Sequence, residues 1–361
     1  MSLGAPRALA ELAKYAFAVA LAALVGAVLV LVMRADVLGA YRTFLWSSLG
    51  TASGFAQTLN KMCPLLLGGL AVGVALRSGY FNIGVDGQIY AGAIAATGVA
   101  LALDTSSHPA LMPLAIVLGI AGGGLFAAIP GALRGWWSVN EIFVTVMLNF
   151  IAAFLTEYLT TGPWNDVMAG EAITRLIPDA AKLPMLSVRT GAHAGIFLAL
   201  VMVVLVWLAL ERTRWGFEVR ALGDNARAAR VAGIRTAWVT VAVIVASGAL
   251  AGLAGAIEVT GLHHRLILGL TPGYGVMAIL IAVLGKGRPL GILIASFAMA
   301  VLLVGSDSLQ RSVGLPASAA LVFQALIVLA VLFVDARRTT GWGASTRPPR
   351  PPTAQSVPAK P

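Results

Sequence analysis

A single cysteine, Cys63, is all the chain contains, which excludes an intrachain disulfide and any cysteine-based metal cluster. The four histidines, His108, His193, His263 and His264, show no HExxH-like spacing. Charge is scarce: 11% of the residues are Asp, Glu, Lys or Arg, against about 25% in an average soluble domain. A phosphate-binding loop of the form GxxxxGK[ST] is missing. Gly285-Lys286 is followed by Gly287, and Leu280 stands where the first glycine belongs. If ATP powers this protein, another chain must hydrolyse it. The GxSG motif of an intramembrane serine protease is missing too, because Ser53-Gly54 and Ser247-Gly248 lack the first glycine.

What is abundant is apolar sequence. Of 361 residues, 59% are hydrophobic, and the mean hydropathy is +0.89. Several runs approach or exceed the roughly 18 apolar residues of a membrane-spanning helix. The alternating pattern of a membrane barrel is not seen. The reading is an all-α polytopic membrane protein. Ten spans fit the runs, near 15–33, 58–77, 83–103, 111–134, 140–160, 193–210, 237–257, 268–285, 289–305 and 317–334. The eighth holds Pro272, Gly273 and Gly275 and is expected to be broken or partly re-entrant. The first is longer than a signal-peptide core of about 7–15 residues and is read as a retained helix.

The formal charge of +10 suggests nucleic acid at first sight. In a membrane protein, basic residues instead mark cytoplasmic loops, so no nucleic-acid partner is expected. With ten spans and both termini inside, Arg34, Arg42, Lys61, Arg175, Lys182, Arg189, Arg265 and Arg311 fall outside. Every other Lys and Arg falls inside, including the cluster from Arg212 to Arg235. The expected organisation is a cytoplasmic N-terminus (1–14), a membrane domain (15–335) and a disordered, Pro-rich, basic cytoplasmic tail (336–361). The membrane domain has a large external loop at 161–192 and a basic inner loop at 211–236. Spans 2–5 and 7–10 have opposite topology, and each group carries a Gly-Tyr pair, Gly79-Tyr80 and Gly273-Tyr274. An inverted repeat, common in transporters, is one reading of this.

Three polar stretches interrupt the apolar pattern. In ERTRWGFEVRALGDNARAARVAGIRTAW (211–238), Asp224 or Asn225 can cap a short helix from Ala226 to Ala232, which Gly233 can end. So short a helix is not stable alone. It is either part of a solvated charged loop or a docking element, with Ala226, Ala228, Ala229 and Ala232 beside Arg227 and Arg230 suited to a groove. In SVNEIFVTVMLNFIAAF (138–154), Ser138 to Glu141 fit a capping box. Asn149 lies about two turns further along the face of Glu141. A mid-helix Asn at membrane depth either holds helices together or lines a path. In GYFNIGVDGQ (79–88), Asn82 can cap span 3, and Asp86 suits the positive end of the same helix. Helix-end chemistry leaves Gly79, Gly84 and Gly87 unexplained. Irregular backbone at membrane depth is tolerated only inside protein or along a wet cavity.

GYFNIGVDGQ resembles the FNIGxxGQ signature of permease subunits of ATP-binding-cassette importers, in the branched-chain amino acid, ribose and nucleoside permease family. VNEIFVTVMLNFIA (139–152), RALGDNARAARVAGI (220–234) and GYGVMAILIAVLGKGRPLGI (273–292) are similar to further segments of its nucleoside and simple-sugar branch, in the expected order. The likeness spans about residues 60–335. It implies a coupling helix to a cytoplasmic ATPase formed by Gly223, Asp224, Asn225, Arg227, Ala228, Ala229, Arg230, Gly233 and Ile234. It also implies a translocation path near Asn82, Asp86, Gln88, Glu141 and Asn149. Implied partners are two ATP-binding subunits that hold ATP and Mg, a second permease subunit (the same or a related chain), and an external binding protein. This chain would carry no cofactor and catalyse no reaction, in a bacterial cytoplasmic membrane. Nucleosides are the implied cargo, simple sugars the alternative. One departure stands out: Met277 occupies a position where many nucleoside-type members have Asp. The competing class is an ion-coupled secondary transporter, for which Asp86, Glu141, Glu157 and Glu258 are the available acids.

Overall fold

The computed structural model describes residues 36–103 and 109–313, with isolated positions nearer either end. The expected spans 15–33 and 317–334, and the expected tail, lie outside the described residues apart from those positions. Every helix and strand named below belongs to one compact unit, Val30–Gln324.

Among the described residues, seven helices are long and apolar enough to cross a bilayer. A short helix α1 (Val37–Leu45) precedes them and runs into a π-helical turn, Trp46–Gly50. The spanning helices are α2 (Ala52–Arg77), α3 (Val85–Leu103), α4 (Leu111–Trp137), α5 (Glu141–Thr161), α6 (Gly195–Arg212), α9 (Thr236–Ile257) and α11 (Pro289–Val313). Between α6 and α9 lie α7 (Arg214–Asp224) and α8 (Ala226–Val231). The expected eighth span is instead a half-helix, α10 (Tyr274–Leu284), of 11 residues. At 1.5 Å per residue it is about 16 Å long, half a bilayer. Pro272 and Gly273, the latter at φ 78°, stop it from extending backwards.

The helices sort into inner and outer. The spanning windows of α2 and α9 are 83% and 72% buried, that of α5 only 22%, so α2 and α9 form the interior and α5 faces outward. Lipid tails provide no hydrophobic drive between helices, so close packing of small residues must hold them together. Gly119 and Gly123 of α4 meet Gly248, Gly252 and Ala256 of α9. A Cβ on Gly252 would stand 2.8 Å from the Gly123 Cα. Gly68, Gly69 and Gly73 let α2 approach α10 and α11 in the same way.

The segment 162–194 is folded, with two short 3-10 turns and a hairpin of β1 (Met185–Ser187) with β2 (Ala192–His193). It hydrogen-bonds to the chain after α9: Thr174 N–H to the Leu266 carbonyl (3.0 Å), Ile177 N–H to that of His264 (2.9 Å), and Leu183 N–H to that of Thr260 (2.8 Å). Ile177, Ala181, Val259, Leu266 and Leu270 form one apolar cluster beneath it with Tyr90 and Ala93 of α3. At the opposite end meet Arg77, Tyr80, Arg134, Glu141, Glu211, Arg220, Thr240 and Gly287. These belong to segments that the charge bias groups on one side. Lys61 departs from the expected pattern. The helix begins six residues before the expected limit of 58, so Lys61, counted with the outer residues although inside the expected span, lies about two and a half turns within it.

Candidate functional site

The polar stretch 79–88 enters the bundle. Ser78 caps the end of α2 through its hydroxyl (Oγ to Ala75 O, 2.7 Å), and Gly79 turns the chain at φ 79°, a conformation that favours glycine. The backbone then runs without helix to Gly84. Asn82 Nδ2 donates to Gln88 Oε1 and to Ser247 Oγ, both at 2.8 Å. Its Oδ1 accepts from Gly84 N–H (3.0 Å) and Gln88 Nε2 (3.1 Å). Ser247 passes the chain on to the Ala71 carbonyl at 2.6 Å. Ala71 lies about 9 Å inside Arg77 along α2, so this is irregular backbone at depth, and Asn82 and Gln88 are only 2% and 1% exposed. Their amides are consumed within the protein, which ties α2, α3 and α9 together.

Asn149 performs the same task from α5. Its Nδ2 donates to the Ile83 carbonyl (2.9 Å) and its Oδ1 accepts from Gly87 N–H (2.8 Å). Of the two roles open to a mid-helix Asn, these bonds are those of a helix clamp. Gly87 is required by the same contact, since a Cβ there would come within 2.8 Å of Asn149 Oδ1. Asp86 stands in the first turn of its own helix, as expected, but its hydrogen bond reaches another. Its Oδ1 accepts from Gly275 N–H at 2.8 Å, in the first turn of α10. The carboxylate thus meets the positive end of a half-helix that starts within the bundle.

Glu141 pairs with Arg134 (3.3 Å), whose guanidinium stacks over Tyr80 at 5.2 Å, while Thr240 Oγ1 bonds to the Tyr80 hydroxyl at 3.0 Å. The expected capping box is not formed. Ser138 ends α4 in a left-handed conformation, φ 55°, and Asn140 caps α5 by accepting from Ile142 N–H at 2.9 Å. Helix α4 runs three residues past its expected limit, so the serine closes one helix and cannot open the next.

The expected coupling segment begins with Gly223 and Asp224 at the end of α7 and continues through α8 to Ile234. Val219 and Leu222 are buried beneath α7. Arg220 donates to the Leu210 carbonyl and pairs with Glu211 (3.7 Å), which also pairs with Arg77 (3.5 Å); Arg77 Nε in turn donates to the Gly287 carbonyl at 3.1 Å. At its end, Gly223 packs against Arg77 and Ser78 so closely that a Cβ would overlap their backbone, and a Cβ on Gly79 would lie 3.6 Å from the Gly223 Cα. Asp224 is the last residue of α7, and Asn225 caps α8 through Arg227 N–H and Ala228 N–H, both 3.0 Å from its Oδ1. Gly233, at φ 84°, closes α8, and Ile234 N–H returns to the Ala229 carbonyl at 3.0 Å. Asn225, Arg227, Ala228 and Arg230 are exposed, Ile234 is half-buried, and Val231 is 86% exposed. Ala229 is turned inward at 3%, so Ala226, Ala228 and Ala232 are open to a partner and Ala229 is not.

At the other end lie groups whose importance spacing did not signal. Lys61 Nζ reaches the Tyr274 hydroxyl at 3.3 Å and sits 5.9 Å from its ring centre. Glu258 opens the π-helical continuation of α9 (Glu258–His263) and is 1% exposed, with His263 Nε2 3.2 Å from its Oε2. His193 is buried outside the spans, and burial pushes its pKa down to about 4. Its Nδ1 accepts from Gly195 N–H at 3.1 Å at the start of α6. Burial likewise lowers the pKa of His264, with Lys182 adding to the effect, and Lys182 holds that of Asp179 low.

Bilayer-length helices packed on small residues, around a buried polar junction and a half-helix, define a polytopic membrane transport protein. Sequence comparison agrees. The chain belongs to the family described as branched-chain amino acid transport system / permease component, which matches residues 54–332. It is 36% identical over 318 residues to the glucose ABC transporter permease protein TsgB13 of Haloferax volcanii, covering 84% of this chain and 83% of that one. It is 34% identical over 316 residues to the guanosine ABC transporter permease protein NupP of Bacillus subtilis, covering 86% and 88%. It is 30% identical over 324 residues to the nucleoside ABC transporter permease protein NupB of Lactococcus lactis, again covering 86% and 88%. No solved structure matches the chain. The protein is a permease subunit of an ABC importer.

Proposed function

We propose that this chain forms the translocation path for nucleosides, with simple sugars as the alternative cargo, in the cytoplasmic membrane of a bacterium. Cytoplasmic ATP-binding subunits drive it and carry the ATP and Mg. A second permease subunit completes the path, and an external binding protein delivers the solute. The observation that carries this reading is α8, a capped and exposed helix whose base, Gly223, is seated on the Arg77–Gly79 backbone. A helix of six residues is not stable alone. An ATP-binding subunit gripping α8 would move the Gly79 loop, and with it Asn82, Asp86 and α10. The relatives described as guanosine and nucleoside permeases support the cargo.

The test is co-purification from the native membrane in mild detergent, followed by uptake of labelled guanosine in proteoliposomes. An ATP-binding subunit should accompany the wild type and be lost from Ala228→Trp, which fills the exposed face of α8. Uptake that needs no ATP but follows an ion gradient would replace this reading with that of a secondary transporter.

A further inference from the structure

Glu258 is a buried carboxyl group, 1% exposed, whose oxygens lack hydrogen-bond partners among the described residues. Its one ionic neighbour is His263 Nε2, 3.2 Å from Oε2, which leaves Oε1 without a partner. The backbone around it departs from α-helix: the π-helical turn Glu258–His263 interrupts the register at this point, and such turns recur at functional sites. A buried carboxylate without donors is costly. It persists where a donor arrives during function.

The surroundings define what could arrive. Glu258 acts electrostatically on the Tyr274 hydroxyl, as does Asp307 of α11. Lys61 bonds to that same hydroxyl at 3.3 Å. Asp86 lies one residue away along α10, on Gly275 N–H. Thus α2, α3, α9, α10 and α11 converge at the start of the half-helix, bringing three carboxylates and one ammonium. Three carboxyl groups face the Lys61 ammonium, the Tyr274 hydroxyl and the His263 ring, so acceptor oxygens predominate and the cluster suits a solute that brings hydroxyls rather than phosphate. Glu258 and Tyr274 are closed off in this conformation, while Lys61, Asp86 and Asp307 are half-buried. The site lies toward the end opposite α8.

We propose that Glu258, with Lys61 and Tyr274, is a solute-binding station in which the two oxygens of the Glu258 carboxylate accept the vicinal hydroxyls of the cargo. The proposal rests on the importer reading above and adds to it the chemistry that holds the cargo. A carboxylate accepting two parallel donors is the matching geometry for a cis-diol. Lys61, held by Tyr274 until cargo enters, donates to a ring or base acceptor.

The test compares uptake of labelled guanosine with that of 2′,3′-dideoxyguanosine in proteoliposomes holding the complete importer and its binding protein. The binding protein is the same for wild type and variant, so its own preference cancels. E258Q should lower kcat/KM for guanosine by about tenfold or more and for the dideoxy analogue far less, narrowing the ratio. Co-purification of the ATP-binding subunit serves as the control for folding. If E258Q does not assemble, E258D, which withdraws the charge by one methylene, is read the same way. An unchanged ratio, or an equal loss for both solutes, overturns the station. Equal loss together with dependence on a sodium or proton gradient assigns Glu258 to ion coupling instead. ATP-independent behaviour of the wild type, or its failure to take up guanosine, defeats the importer reading itself, which separates the two failures.

Discussion

Replacing Asn82 with Leu removes the centre of the polar junction while keeping the branching and number of side-chain heavy atoms. The amide makes four hydrogen bonds, to Gln88 twice, to Ser247 and to Gly84. Interhelical hydrogen bonds in membrane proteins average about 0.6 kcal/mol each, which gives about 2.5 kcal/mol for the set. Leucine also strands the Gln88 amide, a buried group whose lost partners cost about 1–3 kcal/mol. Ser247 is spared, because its hydroxyl still donates to Ala71. The expected loss is therefore about 3.5–5.5 kcal/mol. Thermal unfolding in detergent measures it, provided the transition is reversible. A double-mutant cycle with Ser247→Ala isolates the helix–helix bond, with a coupling of about 0.6–1.7 kcal/mol. If Asn82→Leu unfolds within about 0.5 kcal/mol of wild type, or adds simply with Ser247→Ala, the junction does not hold α2, α3 and α9 together, and the amides must be free for another purpose.

Asn225→Leu removes the cap of α8 at a local cost of about 1 kcal/mol and should weaken co-purification of the ATP-binding subunit while leaving the melting of the spans unchanged. Gly223→Pro should abolish uptake, because α7 loses its seat on Arg77 and Ser78; uptake at wild-type rate would refute the link. Deleting residues 343–361 should leave uptake intact, on the compositional reading of the tail. For pH, the depressed pKa of His193 sets the sign. Its folded value of about 4 lies below the ordinary 6.5, so the unfolded chain binds more protons between those values and stability falls as pH drops from 6.5 toward 4. The full difference is at most about 3.4 kcal/mol. His193→Gln should flatten that acid limb in denaturation curves at pH 5 and pH 7.

The chain type, most interior spans and the capped helix after Asn225 were legible because each has a local signal: apolar run length, charge bias, or a capping residue at the right spacing. The broken eighth span was legible too, from Pro272 and Gly273. What escaped were tertiary choices. Asp86 is one residue from the start of its own helix, yet the N–H it binds belongs to α10, and no local rule distinguishes the two. Ser138 satisfies the capping-box pattern, but the helix before it runs on to Trp137 and takes the serine for its own end. Ala229 shares composition with its neighbours and differs from them only in which way the helix is rolled. Glu258 and Lys61 are separated by almost two hundred residues, and only the packing of α2 against both α9 and α10 brings their segments together.

The distribution of satisfied and unsatisfied polar groups argues for where movement occurs. Asn82, Gln88, Asn149 and Ser247 have their partners, and those partners include the backbone of α2 and α3. A junction so fully bonded does not rearrange cheaply, since each broken bond at membrane depth leaves a group without water to replace it. It therefore moves as a body. Gly223 rests on the near edge of that body, and Asp86 fixes the start of α10 to its far edge. On the proposed function, displacing α8 would displace α10, which begins at Tyr274, the residue whose hydroxyl Lys61 reaches. On the proposed function, the stiff amide junction and the incomplete acidic cluster would be two parts of one linkage: the first would transmit, and the second would be where the transmitted motion changes what the protein can hold.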